Sequence, residues 1–278
     1  MKYLLSFLLL STLGITSVLA QNEILYKEID STQLFLEVYY PDSFDVSKNY
    51  PPMMFFFGGS WINGDWTHFL KQAKYFAKRG LVCFLADYRI KNNTTPFESL
   101  KDAKSAIRFL RANATKFNID PKKVIASGGS SGGHLAAATA LIEGYNESAD
   151  DLSISSVPNA LVLFNPVIDN GPGGYGNERI GMAYKDFSPL DNIKKEAPPT
   201  ILFLGTEDKL IPVETAQYYK VVMEKVGSRC DLKLYEGEGH GFFNYKHFEF
   251  YKNTVLEIDE FLQLLGYLKK EPFVKIDL

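Results

Sequence analysis

The chain has 278 residues, a formal charge of −3, 46% apolar residues and 23% charged residues. That length suffices for one large domain with a substantial core, and the composition excludes a disordered or collagen-like chain. A mildly acidic surface argues against nucleic acid or an anionic membrane as the main partner.

Lys2 precedes an apolar run from Leu4 to Leu19, which closes as Val18-Leu19-Ala20 before Gln21. A positive start, an apolar centre and small residues at a polar junction describe a secretory signal peptide. The run is short of the ~20 residues a membrane span takes. The expected division is a signal peptide over 1–20 and one mature domain over 21–278, secreted or periplasmic and free of the membrane after cleavage.

Glu23 to Tyr39 alternates apolar and polar residues, which predicts a half-buried antiparallel hairpin at a sheet edge. Met53 to Phe57 is wholly apolar and predicts a strand buried on both faces. It runs into Gly58-Gly59-Ser60-Trp61. Thr67 to Lys78 predicts a helix that Gly80 ends, and Leu81 to Ala86 the next strand, closing on Asp87-Tyr88-Arg89. Pro96 opens a helix with Phe97, Leu100, Ala103, Ile107 and Leu110 on one face. Val124 to Ala126 then leads into Ser127-Gly128-Gly129-Ser130-Ser131-Gly132-Gly133-His134, followed by an alanine-rich helical run.

Ala160 to Phe164 predicts another strand. Residues 165–198 show no periodicity, and a loop of that length in a compact domain is usually functional; it is expected as a lid or pocket wall. Thr200 to Leu204 predicts a strand ending Gly205-Thr206-Glu207-Asp208, and a helix from Pro212 to Val226 follows. Leu232 to Tyr235 predicts the last strand, before Gly237-Glu238-Gly239-His240-Gly241-Phe242 and a closing helix over about 246–265. Strands and helices that alternate in this way build a mostly parallel sheet covered on both sides, and chemistry on such sheets gathers at the carboxyl ends of the strands.

Gly128-Gly129-Ser130-Ser131-Gly132 fits G-x-S-x-G, a strained strand-to-helix turn that exposes a serine hydroxyl. A second frame makes Ser131 the nucleophile. The strand–helix junction favours Ser130. Asp208 and His240 also end strands, and the order Ser, Asp, His is that of the α/β hydrolases. The chain resembles that superfamily, and within it the esterases whose oxyanion loop reads His-Gly-Gly-Gly-Trp. Here the loop reads Phe57-Gly58-Gly59-Ser60-Trp61, with Phe for His and Ser for the third Gly. The side-chain anchoring of the loop must therefore differ, although main-chain donors survive both changes.

The resemblance implies an α/β-hydrolase fold with a mostly parallel eight-stranded sheet flanked by helices on both sides. It implies Ser130, Asp208 and His240 as the catalytic set, with the N–H groups of Gly59, Ser60 and Ser131 as the oxyanion hole. It further implies a serine esterase acting on short-chain or small aromatic acyl esters, acetyl or feruloyl, including those on plant polysaccharides. A lipase or peptidase of the same fold, and a catalytically silent binding protein, are the rival readings. Trp61 and His134 are candidate substrate contacts, core packing being the competing role for each. His68 and His247 fall on expected helices and read as surface residues. Two cysteines, Cys83 and Cys230, sit in apolar runs and read as core. The four histidines and two cysteines show no metal-ligand spacing, so neither metal nor cofactor is expected.

Overall fold

The computed structural model describes residues 23–90 and 94–276. The expected signal peptide over 1–20 lies outside them. Strands β1 (Glu23–Ile29) and β2 (Thr32–Tyr39) form the edge hairpin. β3 (Pro52–Phe56), β4 (Val82–Ala86), β5 (Ile125–Gly129), β6 (Ala160–Phe164), β7 (Thr200–Gly205) and β8 (Cys230–Tyr235) complete the sheet. The order is β1-β2-β4-β3-β5-β6-β7-β8. Only the pairings of β1 with β2 and β2 with β4 are antiparallel; all others are parallel. This is the eight-stranded, mostly parallel sheet that the sequence implies.

Every residue of β3, β4, β5, β6 and β7 is buried, as continuous apolar runs require when helices cover both faces. The helices are α1 (Leu70–Lys78), α2 (Pro96–Ala112), α3 (Ala114–Phe117), α4 (Ser131–Leu141), α5 (Asn177–Ile180), α6 (Tyr184–Phe187), α7 (Val213–Lys225) and α8 (Phe248–Leu264). Successive side chains of a strand face opposite ways. Met54 and Phe56 therefore join the core under α2, α4 and α7, whereas Met53 and Phe55 join the one under α1 and α8. α4 is buried along its whole length, which is why its sequence is apolar all round rather than on one stripe.

Asp102 of α2 is fully buried and receives Nε and Nη2 of Arg89, both at 2.8 Å, and Nζ of Lys27 at 2.6 Å. Glu147 shares both cations. This network braces the hairpin and the turn after β4 against α2, so Arg89 is structural, as its surroundings require of a buried charge. Cys83 and Cys230 are buried and unpaired.

Candidate active site

β5 ends at Gly129, and Ser130 takes φ 54°, ψ −120° before α4 begins at Ser131. An L-residue is held in so sparsely populated a region only by its surroundings. The N–H of Ser130 donates to the Phe164 carbonyl at 3.0 Å, and its own carbonyl accepts from His134 at 3.0 Å and Val167 at 3.1 Å. The flanking glycines are compulsory. A Cβ on Gly132 would lie 2.1 Å from the Phe56 carbonyl oxygen, and one on Gly128 would lie 2.3 Å from that of Gly132. Ser130 opens onto a cavity of about 260 Å³ shared with Gly58, Gly59, Ser60, Asn165 and His240. Ser131 is fully buried, so its hydroxyl has no access to that cavity.

His240 follows β8 and donates from Nδ1 to Oδ2 of Asp208 at 2.8 Å. The Asp208 side chain is wholly buried, and its Oδ1 accepts main-chain N–H groups from Leu210 at 2.9 Å and Ile211 at 3.1 Å. A carboxylate held this way cannot swing, so it fixes the imidazole ring and leaves Nε2 as the proton acceptor. Glu207, the neighbour, points to solvent. The sequence order Ser130, Asp208, His240 thus corresponds to one cavity and one hydrogen-bonded pair.

Asn165, at the end of β6, was not legible as a site residue. It is 1% exposed and adopts φ 32°. Its Oδ1 accepts the Gly241 N–H at 3.3 Å, which directs Nδ2 toward Nε2 of His240 at 3.2 Å. The lone pair that would take a serine proton is therefore occupied by an amide N–H at rest. A second aromatic tie fixes the histidine loop. Phe243 stacks on Phe164 at 4.5 Å and on Phe69 at 5.7 Å, and fills the space where a Gly129 Cβ would stand, 2.8 Å away.

The turn after β3 runs through Gly59 at φ 140°, Ser60 at φ 61° and Trp61 at φ 58°. Gly59 accepts the N–H groups of Ile62 and Asn63 through its carbonyl, both at 3.0 Å. The N–H groups of Gly59 and Ser60 have no hydrogen-bond partner among the described residues. That of Ser131 is the first of α4, which a helix leaves unpaired. The three N–H groups are thus free to serve an anionic oxygen. Phe57, where the family has His, stacks on Tyr88 with centroids 4.1 Å apart, and Tyr88 donates its hydroxyl to the Phe57 carbonyl at 2.7 Å. The imidazole comes from elsewhere: Nδ1 of His68 accepts the Gly58 N–H at 3.2 Å, and Nε2 donates to Asn244 at 2.7 Å. His68 is thus a cavity residue, not the surface residue expected from its helical surroundings. Burial holds it below the ordinary imidazole range, the Asn244 bond opposing, and that keeps Nδ1 free to accept.

Trp61 and His134 do not line the cavity. Trp61 is 2% exposed and His134 fully buried. Their rings meet edge-to-face at 5.2 Å, and both pack on Phe187. Nε2 of His134 faces the Phe187 carbonyl at 3.0 Å, and burial lowers the imidazole to about 4. The competing core role is the observed one, because residues 165–198 fold over these two side chains. Among the described residues of that segment only Asn165 lines the cavity. The remainder packs on the outside of the glycine turn after β3, through Tyr175 and Arg179, rather than closing as a lid.

A parallel sheet bearing a serine elbow and a Ser–Asp–His chain order is the architecture of the α/β hydrolases. The BD-FAE family model matches residues 36–171, and that of the dienelactone hydrolase family residues 173–266. Esterase 2 of Thermogutta terrifontis, in its form phosphoramylated by tabun, is 40% identical and superimposes with a TM-score of 0.86, covering 90% of this chain and 96% of that one. Its propionate-bound structure gives 38% and 0.85 over the same shares. The acetylxylan esterase of Xylanibacter ruminicola is 28% identical over 79% of this chain and 45% of its own. The chain spans about half the length of the curated relatives it matches. It belongs to the α/β-hydrolase serine esterases.

Proposed function

We propose that this protein hydrolyses esters of short-chain or small aromatic acids by an acyl-enzyme mechanism, with Ser130 as nucleophile. His240 takes the serine proton at Nε2 as Oγ attacks the acyl carbon, after the Asn165 amide has yielded that lone pair. Asp208 holds the Nδ1–H tautomer and stabilises the imidazolium. The N–H groups of Gly59, Ser60 and Ser131 receive the oxyanion, each worth roughly 3 kcal/mol in such sites. The imidazolium then protonates the leaving alcohol, and water repeats the cycle on the acyl-enzyme.

The observation that carries this reading is the meeting of a strained, partly exposed Ser130 with the His240–Asp208 pair across one cavity beside free main-chain donors. A volume of about 260 Å³ has room for acetyl, propionyl or a single phenylpropenoyl group. A relative that is an acetylxylan esterase, and a neighbour whose structure holds propionate, support the same range. A sugar of a plant polysaccharide is the alcohol we propose, a choice that the acetylxylan esterase relative supports. The protein acts outside the cytoplasm, its residues 1–20 having been removed on export, as their charge and hydropathy pattern supports.

Hydrolysis of p-nitrophenyl acetate, butyrate and octanoate and of methyl ferulate, by wild type and by Ser130→Ala, tests the proposal. Turnover of the acetate, butyrate or ferulate esters that is lost in the variant is expected. Octanoate as the preferred substrate would point to a lipase, and folded wild type inert toward all four would overturn the reading.

A further inference from the structure

The oxyanion turn is unusual in carrying two consecutive side-chain-bearing residues, Ser60 and Trp61, in the left-handed region. Glycine takes that conformation freely, whereas Ser and Trp need a surround that enforces it. The turn's own hydrogen bonds, from Ile62 and Asn63 to the Gly59 carbonyl, hold one edge of the planar peptide that carries the Ser60 N–H, but they do not hold the Ser60 side chain or its carbonyl.

What does reach Ser60 comes from about 115 residues further along the chain. The hydroxyl of Tyr175 lies 2.5 Å from Ser60 Oγ. Nη1 of Arg179 donates to the Ser60 carbonyl. The same guanidinium lies 5.3 Å from the Trp61 ring centroid and 5.8 Å from that of Tyr175. Gly176 lies against Trp61, where a Cβ would come within 3.1 Å of the indole. The segment is itself rooted. Nδ2 of the fully buried Asn170 donates to the Tyr175 carbonyl at 2.8 Å, Nδ2 of Asn177 returns to the Asn170 carbonyl at 2.8 Å, and the Asn170 N–H donates to Ser188 Oγ at 2.8 Å. Neither Tyr175 nor Arg179 lines the cavity.

We propose that Tyr175 and Arg179 are positioning residues that clamp Ser60 by its hydroxyl and its carbonyl, and so aim its N–H into the oxyanion hole. The bonds to the Gly59 carbonyl hold the far edge of the Gly59–Ser60 peptide and the clamp holds Ser60 beyond its Cα, so together they leave the N–H between them one direction, toward the space above Ser130. The clamp also accounts for serine at the third position of the glycine turn, since glycine has no Oγ for Tyr175 to hold. The inference rests on the reading of Ser60 as an oxyanion donor.

A clamp of this kind acts on the transition state and leaves ground-state binding alone. The test is kcat and KM for p-nitrophenyl acetate, with inhibition constants for phenylboronic acid and for acetate, in Tyr175→Phe, Arg179→Met and Ser60→Gly. Phenylboronic acid bonds to the serine and mimics the tetrahedral state; acetate does not. Tyr175→Phe and Arg179→Met are expected to lose at least tenfold in kcat and a matching factor in boronic acid affinity. KM and the acetate constant should change less than threefold, with thermal unfolding retained. In a double-mutant cycle, Tyr175→Phe should add no further loss in the Ser60→Gly background. Full kcat in both clamp variants, or equal losses of boronic acid and acetate affinity, would overturn the proposal. Independent, multiplicative losses for Tyr175→Phe and Ser60→Gly would do the same. The esterase reading fails separately, if Ser130→Ala retains turnover.

Discussion

The buried imidazole of His134 gives the protein an acid-sensitive element that can be isolated by substitution. Burial lowers it from 6.5 to about 4, so in this interval the unfolded chain binds a proton that the native state refuses. Stability then falls as pH falls. At about 1.4 kcal/mol per pH unit, the group withdraws roughly 3 kcal/mol between pH 6.5 and pH 4. Asp87 works the other way. Burial raises its carboxyl to about 6, so the native state holds that proton first and gains stability from pH 6 downward. His68 has the sign of His134. The wild-type profile mixes these terms, whereas its difference from His134→Gln does not, the amide being able to reach the Phe187 carbonyl in place of Nε2. Urea denaturation at pH 7.5 and pH 5.0 measures that difference. The variant's deficit at pH 7.5 should shrink by about 2 kcal/mol at pH 5.0. A deficit that stays constant across this range would refute a neutral, desolvated His134.

Ser131→Ala removes a buried hydroxyl that does not line the cavity and should keep activity within about threefold, while Ser130→Ala loses it by at least roughly 10³-fold, as removal of an activated serine does; steady-state rates on p-nitrophenyl acetate decide between the two frames. Asn165→Leu leaves the Gly241 N–H and Nε2 of His240 without their partner. A drop in kcat of roughly ten- to hundredfold is expected from the displaced ring, and wild-type kcat in that variant would remove Asn165 from the site. Gly132→Ala forces a Cβ against the carbonyl oxygens of Phe56 and Phe57, at 2.1 and 2.2 Å. It should destabilise by about 3 kcal/mol, read as a lowered urea midpoint.

The strands, and the turns that carry Ser130, Asp208 and His240, were legible because each rests on a local signal. Continuous apolar runs mark the buried strands, and glycines mark the turns where backbone passes backbone. Most helix ends shifted by a residue or two, but α4 opens at Ser131, four residues ahead of the alanine-rich run, and the helix expected from Thr67 opens as a tighter turn over Trp66–Phe69 before α1. The misread side chains are those whose fate is decided by distant chain. Trp61 and His134 lie next to the two functional turns, yet 165–198 covers them, and an aperiodic segment gives no clue to what it packs on. His68 looked like a surface residue because helical spacing says nothing of the loop at 241–244 that lies against it. The change from His to Phe57 was the available signal: it required a new anchor for the loop, and His68 and Tyr88 supply it.

The stack of Phe69, Phe243 and Phe164 has a bearing on the conditions this protein tolerates. Phe243 lies three residues beyond His240 and against the backbone of Gly129, next to Ser130. The gap between the histidine loop and the serine turn is thus set by the thickness of aromatic rings, a spacer with no net charge. Ions that weaken surface pairs leave such a spacer untouched, so the geometry of the site should hold from dilute buffer to brine. When the spacer fails it fails as part of the core, all at once, and turnover on heating should end in step with cooperative unfolding rather than fade ahead of it.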